Sequence, residues 1–238
     1  MKKILLFIPA LIAAVYVVLR LPANENFAKT LDLFYGAVTA AVVLFVAFRC
    51  FSKAAKVKDR DALFTGALGL GMFAVSVIYD FTYTLISGAG DGLNISDFSG
   101  VCTYLFFLAA IMLLLLPPHY LYMPLKIGIN VLSAVIILIT VYAVMLNKEK
   151  LLYMTVIATA FICAALSAYL LHQTKKIKLL KTAGLFACFI IIFSLADMAG
   201  NLFSFLNTGG FLSYVFAALH MPVILYISEG LLRLREGE

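Results

Sequence analysis

The sequence holds no tryptophan, and only 13% of its 238 residues are charged. With 64% hydrophobic residues and a mean hydropathy of +1.07, it has too little polar surface to cover itself in water. An ordinary soluble fold is excluded. Its three histidines are widely separated, and no HExxH, GxSxG, GxxxxGK[ST] or CxxC stretch occurs, so metalloprotease, serine hydrolase, nucleotide and zinc chemistries lack support. No metal and no other cofactor is expected. Cys50, Cys102, Cys163 and Cys188 all lie in apolar runs and read as small buried residues, not as a disulfide frame. The net charge of +6 is no nucleic-acid footprint either, because the basic residues cluster in alternate loops.

Long apolar runs fill the space that these absences leave. Apolar stretches at about 4–19, 33–48, 62–87, 99–116, 127–146, 151–171, 182–205 and 211–228 each approach the length that crosses a bilayer. The expected fold is therefore all-α: a polytopic integral membrane protein of eight transmembrane helices, forming one domain over 1–238. Pro117, Pro118, the glycines between 88 and 92, and Gly209 with Gly210 punctuate the breaks. The first run, MKKILLFIPALIAAVYVV, has the charged start of a signal peptide. Arg20 stands where small cleavage-site residues would be needed, so this run is read as the first span.

Lys and Arg set the orientation. Placing both termini in the cytoplasm puts fourteen of the eighteen basic residues inside, leaving Arg20, Lys29, Lys148 and Lys150 outside. In a bacterium the host would be the cytoplasmic membrane. The basic loops SKAAKVKDR and QTKKIKLLK act as topology determinants beside the lipid headgroups. Asn94-Ile95-Ser96 is an acceptor tripeptide of a kind common by chance.

A weak internal repeat links VSVIYDFTYTLISGAG and FSGVCTYLFFLAA, in spans 3 and 4, with FSLADMAGNLFSFLNTGG and FLSYVFAALH, in spans 7 and 8. Asp80 then matches Asp197, and Tyr104 matches Tyr214. Spans four apart share an orientation, so this is a parallel four-plus-four repeat.

A carboxylate in hydrocarbon costs about 2.5–3.5 kcal/mol even on the lenient insertion scale, which makes Asp80 and Asp197 the residues that need a function. From the helical rise they lie about 10 and 12 Å below the outer boundary, with His220 about 14 Å down. Ser76, Tyr83, Ser194 and Asn201 are placed to hydrogen-bond the two acids, Ser76 and Asn201 at one-turn spacing on the same faces. Tyr104 and Tyr214 are expected nearer the outer interface. Asp32, Glu229, His119 and His172 fall near span ends, where they reach water. Gly66, Gly69 and Gly71 mark close helix packing.

The eight-span pattern, with FAKTL entering span 2, VSVIYD in span 3, GVCTYLFFLAA in span 4, GLFACFIIIFSLAD in span 7 and YVFAALH in span 8, resembles the YhhN family of membrane lysoplasmalogenases. The resemblance carries the family's functional positions onto Lys29, Ser76, Asp80, Asp197, Tyr214 and His220. Thr30 replaces the family's proline, Tyr79 its glycine before the first acid, and Phe107 stands near its span 4 histidine. The resemblance implies hydrolysis of the vinyl-ether bond of a lysophospholipid to a fatty aldehyde. Such a reaction needs one carboxyl that donates a proton and one that faces positive charge. Asp80 and Asp197 are expected to form that pair, aided by His220, with Lys29, Ser76, Tyr83, Tyr104, Ser194, Asn201 and Tyr214 holding substrate. A proton-coupled carrier of a small amphiphile is the alternative, and a membrane sensor or assembly module a third.

Overall fold

The computed structural model describes residues 3–55, 61–87, 95–115, 123–146, 148–176, 183–205 and 211–234. The described residues form eight helices: α1 (Lys3–Arg20), α2 (Glu25–Ala54), α3 (Asp61–Ser87), α4 (Ile95–Leu115), α5 (Met123–Met145), α6 (Glu149–Lys176), α7 (Ala183–Phe205) and α8 (Phe211–Arg233). Seven of them, α2 to α8, are long and apolar enough to cross a membrane. The architecture is an all-α membrane protein. Pro117, Pro118, the glycine runs at 88–92 and 209–210, Asn94, His119 and the centres of both basic loops lie outside the described residues.

The helices outrun the apolar stretches that announce them. The run at 33–48 becomes a helix of 30 residues, about 45 Å long, because Asn24 caps it early: its side chain accepts from the Phe27 N–H at 2.9 Å. The extra turns at either end carry Lys29, Asp32, Arg49 and Lys53.

Four helices occupy the centre: α3 packs on α4, α7 on α8, and the pairs meet through α3 with α8 and α4 with α7. α2 fills the groove between α3 and α8, and α6 that between α4 and α7; α1 lies outside against α8 and α2, and α5 outside against α4 and α6. Replacing each helix by the one four places along the chain maps these neighbours onto themselves.

Apolar side chains face outward as well as inward. Phe7, Leu11, Val15 and Val18 run along one side of α1, and Leu138 and Phe161 project from α5 and α6. In water such a surface would drive association, whereas lipid accepts it. Inside, Phe107, Phe186 and Phe193 are fully buried. Four buried hydroxyls, those of Thr103, Thr140, Thr155 and Thr159, are satisfied within their own helices, each donating to the carbonyl four residues back.

Close packing follows the small residues. A Cβ on Gly230 would fall 2.6 Å from the Phe186 backbone nitrogen, marking where α7 and α8 nearly touch. Gly66 and Gly69 admit Leu231 and Phe107, as expected of helix contacts; Gly71 leaves Phe51 at an ordinary distance.

Pro222 sits inside α8 and lacks the N–H that would bond the Ala218 carbonyl. That carbonyl takes the Tyr35 hydroxyl of α2 instead, at 2.7 Å. Backbone groups in lipid must be satisfied internally, and here a side chain from a neighbouring helix does it.

Glu229 corrects an expectation. It does not reach water but is 7% exposed, with Arg233 at 3.4 Å and Arg49 at 4.0 Å. Beside it the Lys53 ammonium donates to the Leu232 carbonyl at 2.6 Å, so this end of α8 is tied to α2 by charge. His172 is exposed, and Asp32 is ion-paired with Arg20 at 2.9 Å.

Candidate functional site

Asp197 lies in the α7 sequence FSLADMAGN, where Phe193, Asp197 and Asn201 recur one turn apart and share a face. Phe193 fixes where that face points. Its ring meets Phe73 of α3 at 5.3 Å, Tyr104 of α4 at 5.6 Å, Phe107 at 6.2 Å and His220 of α8 at 5.2 Å. All four central helices therefore converge on one aromatic layer.

One turn beyond that layer stands the Asp197 carboxylate. Tyr104 donates to its Oδ2 at 2.7 Å, and the Asn201 amide donates to Oδ1 at 3.3 Å and to the Asp197 carbonyl at 2.9 Å. His220 Nε2 lies 3.5 Å from Oδ1; it is buried and makes no hydrogen bond. The contact is longer than a formed N–H···O bond, so the imidazole faces the acid without being tied to it. The Asp197 and His220 side chains are 22% and 20% exposed, which leaves an approach for a small group.

Tyr104 faces the interior of the bundle and presents no ring to its surroundings. It is 1% exposed, because the α4 turn carrying it is pressed between Phe193 and Asp197. Ser194 does not bond a carboxylate: its hydroxyl is fully buried and makes no hydrogen bond. It lies beside the Cys163 thiol of α6, as does Ser167.

Asp80 is exposed, seven residues beyond Phe73 and so on nearly the same face of α3. α3 and α7 run the same way, and Phe73 meets Phe193. Asp80 then stands about 10 Å past the aromatic layer and Asp197 about 6 Å past it, on the same side. Ser76 is buried one turn before Asp80, and Tyr83 stacks with Tyr79 at 6.0 Å. Lys29 is exposed near the start of α2, outside the Asp197 cluster.

Tyr214 belongs to a second cluster. Arg20, ending α1, donates through Nη2 to the Tyr214 hydroxyl at 3.0 Å and lies over its ring at 4.2 Å. Arg20 Nε and the Tyr16 hydroxyl both donate to Asp32 Oδ1 at 2.9 Å, and Tyr16 stacks on Tyr35. Sequence reasoning missed this group, since an arginine at a span end also serves as an anchor. Phe73 and Phe193 were missed too, for want of any polar signal. Among the described residues no group of three His, Cys, Asp or Glu side chains is placed to hold a metal ion.

No family model, curated protein or solved structure matches this chain.

Proposed function

We propose that this chain is a membrane enzyme of eight crossing helices that hydrolyses the vinyl-ether bond of a lysophospholipid at the Asp197 centre. The carrying observation is the setting of Asp197: a carboxylate held by Tyr104 at 2.7 Å and faced by an untied imidazole at 3.5 Å, where four helices meet. An intramembrane acid with such partners is a functional centre by default. The sequence resemblance to the YhhN family supplies the bond to be broken.

Enol ethers are cleaved by slow protonation at carbon. In this reading the His220–Asp197 couple gives a proton to the vinyl carbon remote from oxygen, and the C=C electron pair becomes the new C–H bond. The oxocarbenium ion left behind faces the Asp197 carboxylate. Water adds its oxygen to that carbon and returns a proton to the couple. The hemiacetal then collapses to a fatty aldehyde and a glycerophospho-alcohol. Asp80, the second acid of the proposal, stands on the same side of the aromatic layer.

α1 serves as the eighth span in this reading: its 18 residues cover about 27 Å. The neighbour pattern supports a duplicated four-helix unit, and the Lys and Arg distribution supports cytoplasmic termini. The test is aldehyde release by purified protein from a lysoplasmalogen, with the saturated-ether analogue as control. In heavy water the aldehyde should carry one deuterium on the carbon next to the carbonyl. Equal turnover of the saturated ether, or an aldehyde without that deuterium, contradicts the mechanism.

The neighbour pattern favours one other reading, a proton-coupled carrier of a small amphiphile between the repeat halves. Proteoliposomes separate the two: a carrier accumulates unaltered substrate along a pH gradient.

A further inference from the structure

Arg20 would be expected to turn its guanidinium outward to water from the end of a span. It turns back into the protein. The side chain is 18% exposed, with Asp32 Oδ1 on Nε, the Tyr214 hydroxyl on Nη2 and the Tyr214 ring beneath it. These contacts come from α2 and α8 and fix the plane of the fork. They use two of its five N–H groups and leave the others to a neighbouring space.

That space is a cavity of about 170 Å³, lined by Val17, Arg20, Leu21, Ala23 and Tyr214. At about 30 Å³ per water it holds five or so waters, room for a tetrahedral anion and the start of its ester. Asp32, the anion nearest Arg20, is not among the lining residues. The wall thus presents one cation and one phenol against apolar side chains. A planar fork with free N–H groups suits bidentate capture of phosphate oxygens, while Val17, Leu21 and Ala23 suit the hydrocarbon of an amphiphile.

We infer that Arg20 and Tyr214 form a subsite for the phosphate group of an amphiphile, separate from the Asp197 centre. It rests on the reading of that centre as acting on a lipid. Tyr214 and His220 are both on α8, six residues and about 9 Å of rise apart. A phosphate on Arg20 therefore sits nearer the end of α8 than the imidazole does, with Val17, Leu21 and Ala23 beside it for the first carbons of the chain. The Arg20–Asp32 pair keeps the fork in place when the subsite is empty.

Binding tests this without turnover. The full-length protein in an uncharged detergent is titrated with dodecyl phosphate, with inorganic phosphate and with uncharged dodecyl glucoside, and binding is followed by calorimetry. Dodecyl phosphate should bind at least tenfold tighter than the glucoside. Arg20→Gln should remove most of that difference, Arg20→Lys should restore part of it, and Tyr214→Phe should weaken binding a fewfold. The readout is binding and not aldehyde release, so a failed hydrolase reading leaves this inference standing. Inorganic phosphate binding as tightly as dodecyl phosphate would keep the anion subsite but assign it to free phosphate. Equal affinities for dodecyl phosphate and the glucoside in the wild type overturn the subsite even if Arg20→Gln does not fold. Undiminished dodecyl phosphate binding in a folded Arg20→Gln does the same.

Discussion

Removing the Tyr35 hydroxyl isolates one interaction that the sequence makes necessary. Pro222 deprives the Ala218 carbonyl of its helical partner, and the Tyr35 hydroxyl replaces that partner at 2.7 Å in a side chain that is 8% exposed. Tyr35→Phe keeps the ring, and with it the stacking on Tyr16 at 4.1 Å, so the loss is that of the hydrogen bond. A neutral bond in protein is worth about 1 kcal/mol net, and a buried acceptor left unpaired costs about 1–3 kcal/mol. Interhelical bonds in bilayers average about 0.6 and reach about 1.7 kcal/mol. The unpaired carbonyl has no lipid group to turn to, so the expected loss lies at the upper end, about 1.5 kcal/mol. Pro222→Ala restores an N–H to the same carbonyl, and in that background Tyr35→Phe should cost less than about 0.5 kcal/mol. Reversible unfolding in mixed micelles across the four proteins gives the coupling directly. Additivity within about 0.5 kcal/mol would refute the idea that Tyr35 stands in for the missing N–H.

A second cycle addresses the candidate site: Tyr104→Phe and Asp197→Asn should couple by about 1.5–3 kcal/mol in micelle unfolding, as a charge-assisted bond does. Additive losses would mean that the phenol is not spent on the carboxylate. The glycines give a contrast in packing. Gly230→Ala drives a methyl into the Phe186 backbone and should cost about 1–3 kcal/mol, while Gly100→Ala and Gly128→Ala, with nothing within 4 Å, should be neutral or slightly stabilising. Equal effects at Gly230 and Gly128 in a thermal shift series would contradict the close approach of α7 and α8.

What was legible in the sequence is what bilayers impose on single helices. The runs that become α3 to α8 are visible because lipid demands about 20 apolar residues at a stretch, and Gly66 and Gly69 show where a neighbouring helix packs closely. Asn201 was readable as a partner of Asp197 since one helical turn fixes it there. Contacts between helices were not readable. Tyr104 is 93 residues from Asp197, and only the crossing of α4 with α7 brings them together. Glu229 looked like a span-end charge reaching for water and Arg20 like one more outer basic residue, yet each turns inward to a partner on another helix. The early start of α2 hid in polar residues, whose capping role at Asn24 outweighs their low hydropathy.

The most direct test of the central claim is the rate of fatty aldehyde release by Asp197→Asn in detergent, beside the wild type and with unfolding temperature measured on both. A positioned acid or base contributes about 10²–10⁴-fold, so the variant should remain folded and lose at least about a hundredfold in rate. An Asp197→Asn protein that releases aldehyde as fast as the wild type would show that the chemistry is not carried by this carboxylate.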